Sequence, residues 1–170
     1  MRYGSKKEKM TKYILGIDPG KSGGYAFISL SGDMEKEHVF ALEHGTEKDA
    51  IEVLREFQPH IKKAYLEHVW GRATDGPGRS FKFGANFGGW RWALMTLDIP
   101  FDLVVPTKWQ RSLKCLTKGD KNVSKGKAQQ LYPLIKVTHA KADAMLIATY
   151  GLSAEKGKNY AVEEFDDIFM

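Results

Sequence analysis

The chain of 170 residues holds one cysteine, Cys115. A lone thiol excludes an internal disulfide and the Cys-rich kinds of zinc site, and it suits a reducing cytoplasm. Long apolar runs are missing too. Nothing approaches the ~20 residues of a spanning helix, so no membrane segment is expected. Residues 1–12 are basic with no apolar stretch behind them, which argues against a signal peptide and for a disordered arm or an upstream start before Met10. There is no internal repeat, low-complexity tract or sign of a second domain. What remains, 42% hydrophobic and 28% charged, is an ordinary globular composition with enough length for one real core. The expected organisation is an arm over 1–12, a single domain over 13–154 and an acidic, aromatic tail over 155–170.

Charge is unevenly spread. Lys108, Arg111, Lys114, Lys118, Lys121, Lys125 and Lys127 stand against only Asp120, a local +6 in a chain whose net charge is +5. The basicity is therefore a patch, as phosphate contact requires, although a solvated surface has the same composition.

Short apolar runs bounded by glycine-bearing turns predict strands over 13–17, 24–30 and 38–42, joined as an antiparallel meander. Thr46 followed by Asp49 has the form of a capping box and opens a helix to Phe57, with Ile51, Leu54 and Phe57 on one face. A fourth strand over 64–69 and a Gly-rich loop over 71–79 follow. Ser80 is expected to cap a long helix to Leu97, with Phe83, Phe87, Trp90 and Leu94 on its packing stripe. Gly84, Gly88 and Gly89 each cost such a helix roughly 1 kcal/mol, which points to close approach of another helix or a nucleic-acid backbone. A fifth strand over 101–105, a short helix from Pro106, one opened by Ser124 and a last one capped by Thr138 complete an α/β order with a mixed sheet. Trp109 reads as core.

Three carboxylates fall at element ends: Asp18 after the first strand, Glu67 near the end of the fourth, Asp143 early in the last helix. Strand ends of an open sheet are where α/β sites form. Carboxylates gathered there repel one another unless a cation joins them, and oxygen ligands without cysteine favour Mg²⁺ or Mn²⁺. Two such ions ~4 Å apart serve phosphodiester cleavage. His139 lies four residues before Asp143 and shares its face. Taken singly, each acid also has a plain structural reading, as a turn starter, a surface strand residue or a helix N-terminal acid.

The run Ile14-Leu15-Gly16-Ile17-Asp18-Pro19-Gly20, with Ser22-Gly23-Gly24-Tyr25-Ala26 after it, resembles the first motif of the RuvC-type Holliday junction resolvases. Leu66-Glu67-His68-Val69-Trp70 resembles their second, and Ala140-Lys141-Ala142-Asp143-Ala144-Met145-Leu146-Ile147-Ala148 their last. The resemblance covers residues 13–152. It implies an RNase H-like fold with a mixed five-stranded sheet (three antiparallel strands, then two parallel) flanked by helices, a homodimer, and paired incisions in four-way DNA junctions. It also implies that Asp18, Glu67 and Asp143 hold the metal. The family's fourth ligand stands three residues before the last Asp, where this chain has Ala140, so His139 takes the place of fourth ligand or general base. Trp70 matches the aromatic that stacks on unpaired bases, a contact worth ~1–3 kcal/mol per base. Arg72, Arg79 and Lys82 lie near it for phosphates. Lys125 matches a helix-opening lysine near the scissile phosphate. A second family lysine falls at Gln110, with Arg111 beside it, and 118–121 reads as a loop able to order on DNA.

Residues 163–170 alternate acids with Phe and Ile and resemble the acidic tails of bacterial single-strand-binding proteins. They are expected to dock on a basic partner or on the chain's own DNA groove, or to remain solvated. The leading reading is a junction resolvase. The alternatives are a nuclease of broader fork or flap specificity and a non-catalytic junction-binding protein. An actin-like kinase needs a second subdomain for which this chain has no room.

Overall fold

The structure, a computed structural model, describes residues 10–69 and 76–166, with side chains as far as residue 157. Five strands form one sheet: β1 (Tyr13–Asp18), β2 (Gly24–Ser29), β3 (Val39–Ala41), β4 (Ile61–Glu67) and β5 (Phe101–Val104). Their spatial order is β3-β2-β1-β4-β5. β1 with β2 and β2 with β3 are antiparallel, whereas β4 runs parallel to both β1 and β5. This is the expected mixed sheet, with strand ends shifted by one to three residues.

Alternation of side chains divides the core in two. Ile14, Ala26, Ile28 and Tyr65 face one side, beneath helix α5 (His139–Asp166). Leu15, Ile17, Tyr25, Phe27 and Leu66 face the other, beneath α1 (Glu47–Phe57) and α2 (Pro77–Thr96), which supply Leu54, Trp90 and Leu94. Burying each of these large side chains contributes ~1.5–3 kcal/mol. The Thr46 capping box forms in both halves, with Thr46 N donating to Asp49 Oδ2 at 2.7 Å and Asp49 N donating to Thr46 Oγ1 at 3.3 Å.

The small-sided face of α5 lies directly on β1. A Cβ on Gly16 would collide with the backbone of Ala144 and Ala148, so only glycine fits there. The far part of α5 is tied to β4 by Tyr65, whose hydroxyl donates to Glu155 Oε1 at 2.6 Å, and by Lys63, 3.6 Å from the same oxygen.

Four helix ends differ from the sequence reading. α2 starts at Pro77, three residues before Ser80, because proline suits the first helical position. α4 (Lys121–Leu131) starts three residues before Ser124, capped by Asp120, whose side chain accepts from Asn122 N at 2.9 Å. Thr138 precedes α5 and its carbonyl accepts the first helical N–H groups, but its buried hydroxyl has no partner among the described residues and makes no side-chain cap. α5 continues past Ala154 to Asp166. The short helix α3 (Pro106–Ser112) begins at Pro106 as expected. Among the described residues no helix is long and apolar enough to cross a membrane.

Candidate active site

Alternation along the strands decides where the acids point. Asp18 follows Ile14 and Gly16 at steps of two, and Glu67 follows Lys63 and Tyr65 in the same way, so both carboxylates leave the sheet on the α5 side. They end neighbouring parallel strands, one residue beyond the Ile17–Leu66 pair. Asp143 comes down onto them from the second turn of α5. The three acids therefore meet at the carboxyl edge of β1 and β4.

Each carboxylate has its own supports. Asp18 Oδ1 accepts from Gly20 N at 3.0 Å, inside a turn closed by the bond from Gly23 N to Gly20 O at 2.9 Å. A Cβ on Gly23 would strike the Asp18 carbonyl and carboxyl, so the turn wraps the acid only because that residue is glycine. Glu67 is buried and accepts from Trp109 Nε1 at 2.9 Å. Ser124, a buried residue of α4 whose hydroxyl donates to the Lys121 carbonyl at 3.2 Å, stands near enough to Asp143 to lower its pKa. Asp143 Oδ1 is buried with no hydrogen-bond partner among the described residues.

The electrostatics show that the groups act on one another. Burial, then the charge of Asp143, pushes Asp18 up to about 6. Burial, then the charge of Asp18, pushes Glu67 up to about 8, against the Trp109 bond that holds it down. Asp143 is raised by burial, with Ser124, Lys121 and His139 pulling the other way. Among the described residues Lys121 is the one cation that lowers all three. It opens α4, a place the sequence assigned to Lys125, which is half-buried one turn further on.

Among the described residues no three His, Cys, Asp or Glu side chains stand close enough together to hold one ion unaided. Mg²⁺ does not need three, since it is commonly held by one or two carboxylates with waters and substrate phosphates filling the octahedron. The donor set fits such an ion: clustered carboxylates kept from ionising freely, and an orphaned oxygen on Asp143 that lacks the partner a buried polar atom requires.

The other expected site residues fall as follows. His139 is the exposed first residue of α5, close enough for its charge to act on Asp143. Lys108 and Arg111 are exposed on α3, Lys114 and Lys118 on the connection to α4, and Lys127 is half-buried on α4. Arg79 and Lys82 are exposed on the first turns of α2. Trp70 and Arg72 lie outside the described residues. Gln110, at the family's lysine position, is instead structural, its Oε1 accepting from Thr117 N at 3.4 Å. Ser124 acting on Asp143 and Trp109 as a donor to Glu67 were not foreseen. Asp120 was the usable signal for Ser124, since a cap there sets the phase of α4.

No family model matches the sequence, and no curated protein matches it. Solved structures do. A structure titled as T. thermophilus RuvC in complex with Holliday junction substrate aligns with a TM-score of 0.59 at 18% identity, covering 86% of this chain and 96% of that one. A second structure, of Thermus thermophilus RuvC, aligns with a TM-score of 0.55 at 19% identity, covering 85% and 96%. The sheet order and flanking helices define an RNase H-like α/β protein. Within that class the fold is of the RuvC type, shared over most of both chains.

Proposed function

We propose that the chain is a structure-selective endonuclease that resolves four-way DNA junctions by paired, metal-dependent hydrolysis of phosphodiester bonds. The observation that carries this reading is the meeting of Asp18, Glu67 and Asp143, from two strands and a helix, at one edge of a RuvC-type sheet. These three carboxylates would hold Mg²⁺ or Mn²⁺, two ions in all, with His139 as a fourth ligand or general base one turn before Asp143. The cations supply Lewis-acid polarisation of the scissile phosphate and make an attacking water more acidic.

The chain's own residues set the rest. Trp109 fixes Glu67 by a hydrogen bond and Ser124 lowers the pKa of Asp143, so the array is partly oriented before substrate arrives. Lys121 offsets the negative charge of the acids and faces the phosphate that joins them. Lys108, Arg111, Lys114, Lys118, Lys125 and Lys127 extend a positive surface from that point for the flanking backbone, while Arg79, Lys82, Arg72 and Trp70 serve the branch point.

A homodimer supports symmetric cutting, because a two-fold junction needs two sites. The outward side of α2 is suited to it. Trp92 is 71% and Met95 46% exposed. Among the described residues nothing lies within 4 Å of where a Cβ would stand on Gly84 or Gly88 beside them, so these residues do not meet the close approach that the glycines imply.

The test is a labelled four-way junction, with matched fork and linear duplex, incubated with Mg²⁺ and wild type or Asp143→Asn. Paired symmetric nicks in the junction from wild type alone are expected. Equal cutting of forks would point to the broader nuclease, and binding without cutting to a non-catalytic junction protein.

A further inference from the structure

On the sheet face opposite α5, a groove of about 550 Å³ runs between α1 and one flank of α2. Its floor is apolar, made by Ile51, Leu54, Trp90 and Ala93, and its rim carries Lys21 and Lys82, with Glu47 the one opposing charge among the described residues. Neither lysine has an ion-pair partner among the described residues. The groove therefore fits a segment that is apolar along one side and acidic along the other.

Residues 162–170 of this chain have that character. Val162, Phe165, Ile168 and Phe169 recur at spacings of three and four, the pattern of a helix that lays one face into a groove. Glu163, Glu164, Asp166 and Asp167 fall between them, with no basic residue in the segment. The segment is out of reach of its own groove while α5 is intact. Lys21 lies three residues after Asp18, so the groove mouth is at the acidic edge, and α5 leaves that edge on the other face. By Asp166 the helix has run roughly 35 Å beyond Asp143 at about 1.5 Å per residue. Residues 167–170 add at most about 14 Å when extended.

We propose that residues 162–170 of one copy dock as an amphipathic helix in the α1–α2 groove of a second copy. Phe165 and Phe169 sit on the apolar floor, and the acids face Lys21 and Lys82. The contact uses a different flank of α2 from the one carrying Trp92 and Met95, and it does not depend on the nuclease reading. It also covers two lysines otherwise open to phosphate, so docking and DNA compete for them.

The experiment uses full-length chain with a photo-crosslinking amino acid in place of Phe169, prepared as an equal mixture of ¹⁴N- and ¹⁵N-labelled protein. Mixed-isotope cross-links from residues 158–170 to residues 42–54 or 81–93 are expected, with a several-fold lower yield when Lys21→Glu and Lys82→Glu are added. The reciprocal probe, in place of Ala85, should capture residues 158–170 of the other copy. Cross-links within one copy, at other surfaces or absent altogether overturn the proposal, as does capture of the second copy's α1 or α2 by the probe at Ala85. None of these readouts involves DNA, so a chain that fails to cut junctions can still pass, and one that cuts them can still fail.

Discussion

Trp109 and Glu67 are joined inside the protein, the indole N–H donating to the carboxylate at 2.9 Å across 42 residues of sequence. Trp109→Phe keeps a ring in the space and removes the donor. A hydrogen bond to a charged group is worth ~1.5–3 kcal/mol, so a stability loss of about 2 kcal/mol is expected in urea denaturation above pH 8, where Glu67 is ionised. The Trp109 bond also holds the Glu67 pKa down, so the acid limb of the cleavage pH–rate profile should move to higher pH. An unmoved limb would remove Glu67 from the reacting set.

The raised carboxylates make stability depend on pH in a definite direction. With Asp18 pushed up to about 6 and Glu67 to about 8, the folded chain binds protons more tightly than the unfolded one. Stability from this source is fully present below about pH 4, where the unfolded carboxyls are also protonated. It is lost as pH rises through the folded values. In EDTA the melting temperature should therefore fall between pH 5 and pH 9, and less steeply in Glu67→Gln. Mg²⁺ at pH 8 should raise it again if the folded array holds the ion as proposed. Scanning fluorimetry reads both effects, and a flat profile in EDTA contradicts the account.

Lys121 and Lys125 lie one turn apart but are expected to matter unequally. Lys121→Ala takes away the cation that lowers all three acids, so junction cleavage should fall about 10²-fold, the usual scale for one electrostatic group in an active site. Lys125→Ala should cost less than a tenth of that and mainly reduce the salt dependence of binding. Single-turnover cleavage with a salt titration separates them, and the reverse ranking would restore the assignment the sequence gives to Lys125.

Trp92→Glu puts a charge on the open side of α2 without touching the buried Trp90 or Leu94. If that side is the homodimer contact, light scattering should show a monomer at concentrations where wild type is a dimer. The variant should nick single strands of a junction without the paired second cut. A dimer that survives places the contact elsewhere.

Much of the fold was legible because the strands are short, apolar and fenced by turns, and because Thr46 and Asp49 spell out a helix start. The acids were legible for the same reason, as charged residues at the ends of elements whose other residues are apolar. Ser124 was not. Reading it as a helix opener turned it outward, whereas Asp120 starts the helix three residues earlier and turns Ser124 inward to Asp143. The preference for Lys121 over Lys125 was hidden by the same shift. Trp109 was rightly placed in the core, but nothing in its sequence neighbourhood shows that its one polar atom meets a strand 42 residues away.

The contact of Gly16 with Ala144 and Ala148 is main chain against main chain, one residue pair from Asp18 on one side and next to Asp143 on the other. Side-chain contacts have rotamers and give under load, but this one has none. The gap between the two acids is thus a fixed tolerance in the engineering sense, held by two rigid parts bolted without a washer. Substitutions that loosen the remainder of the core would soften the molecule around that joint while sparing the main-chain spacing beneath its first and last carboxylates.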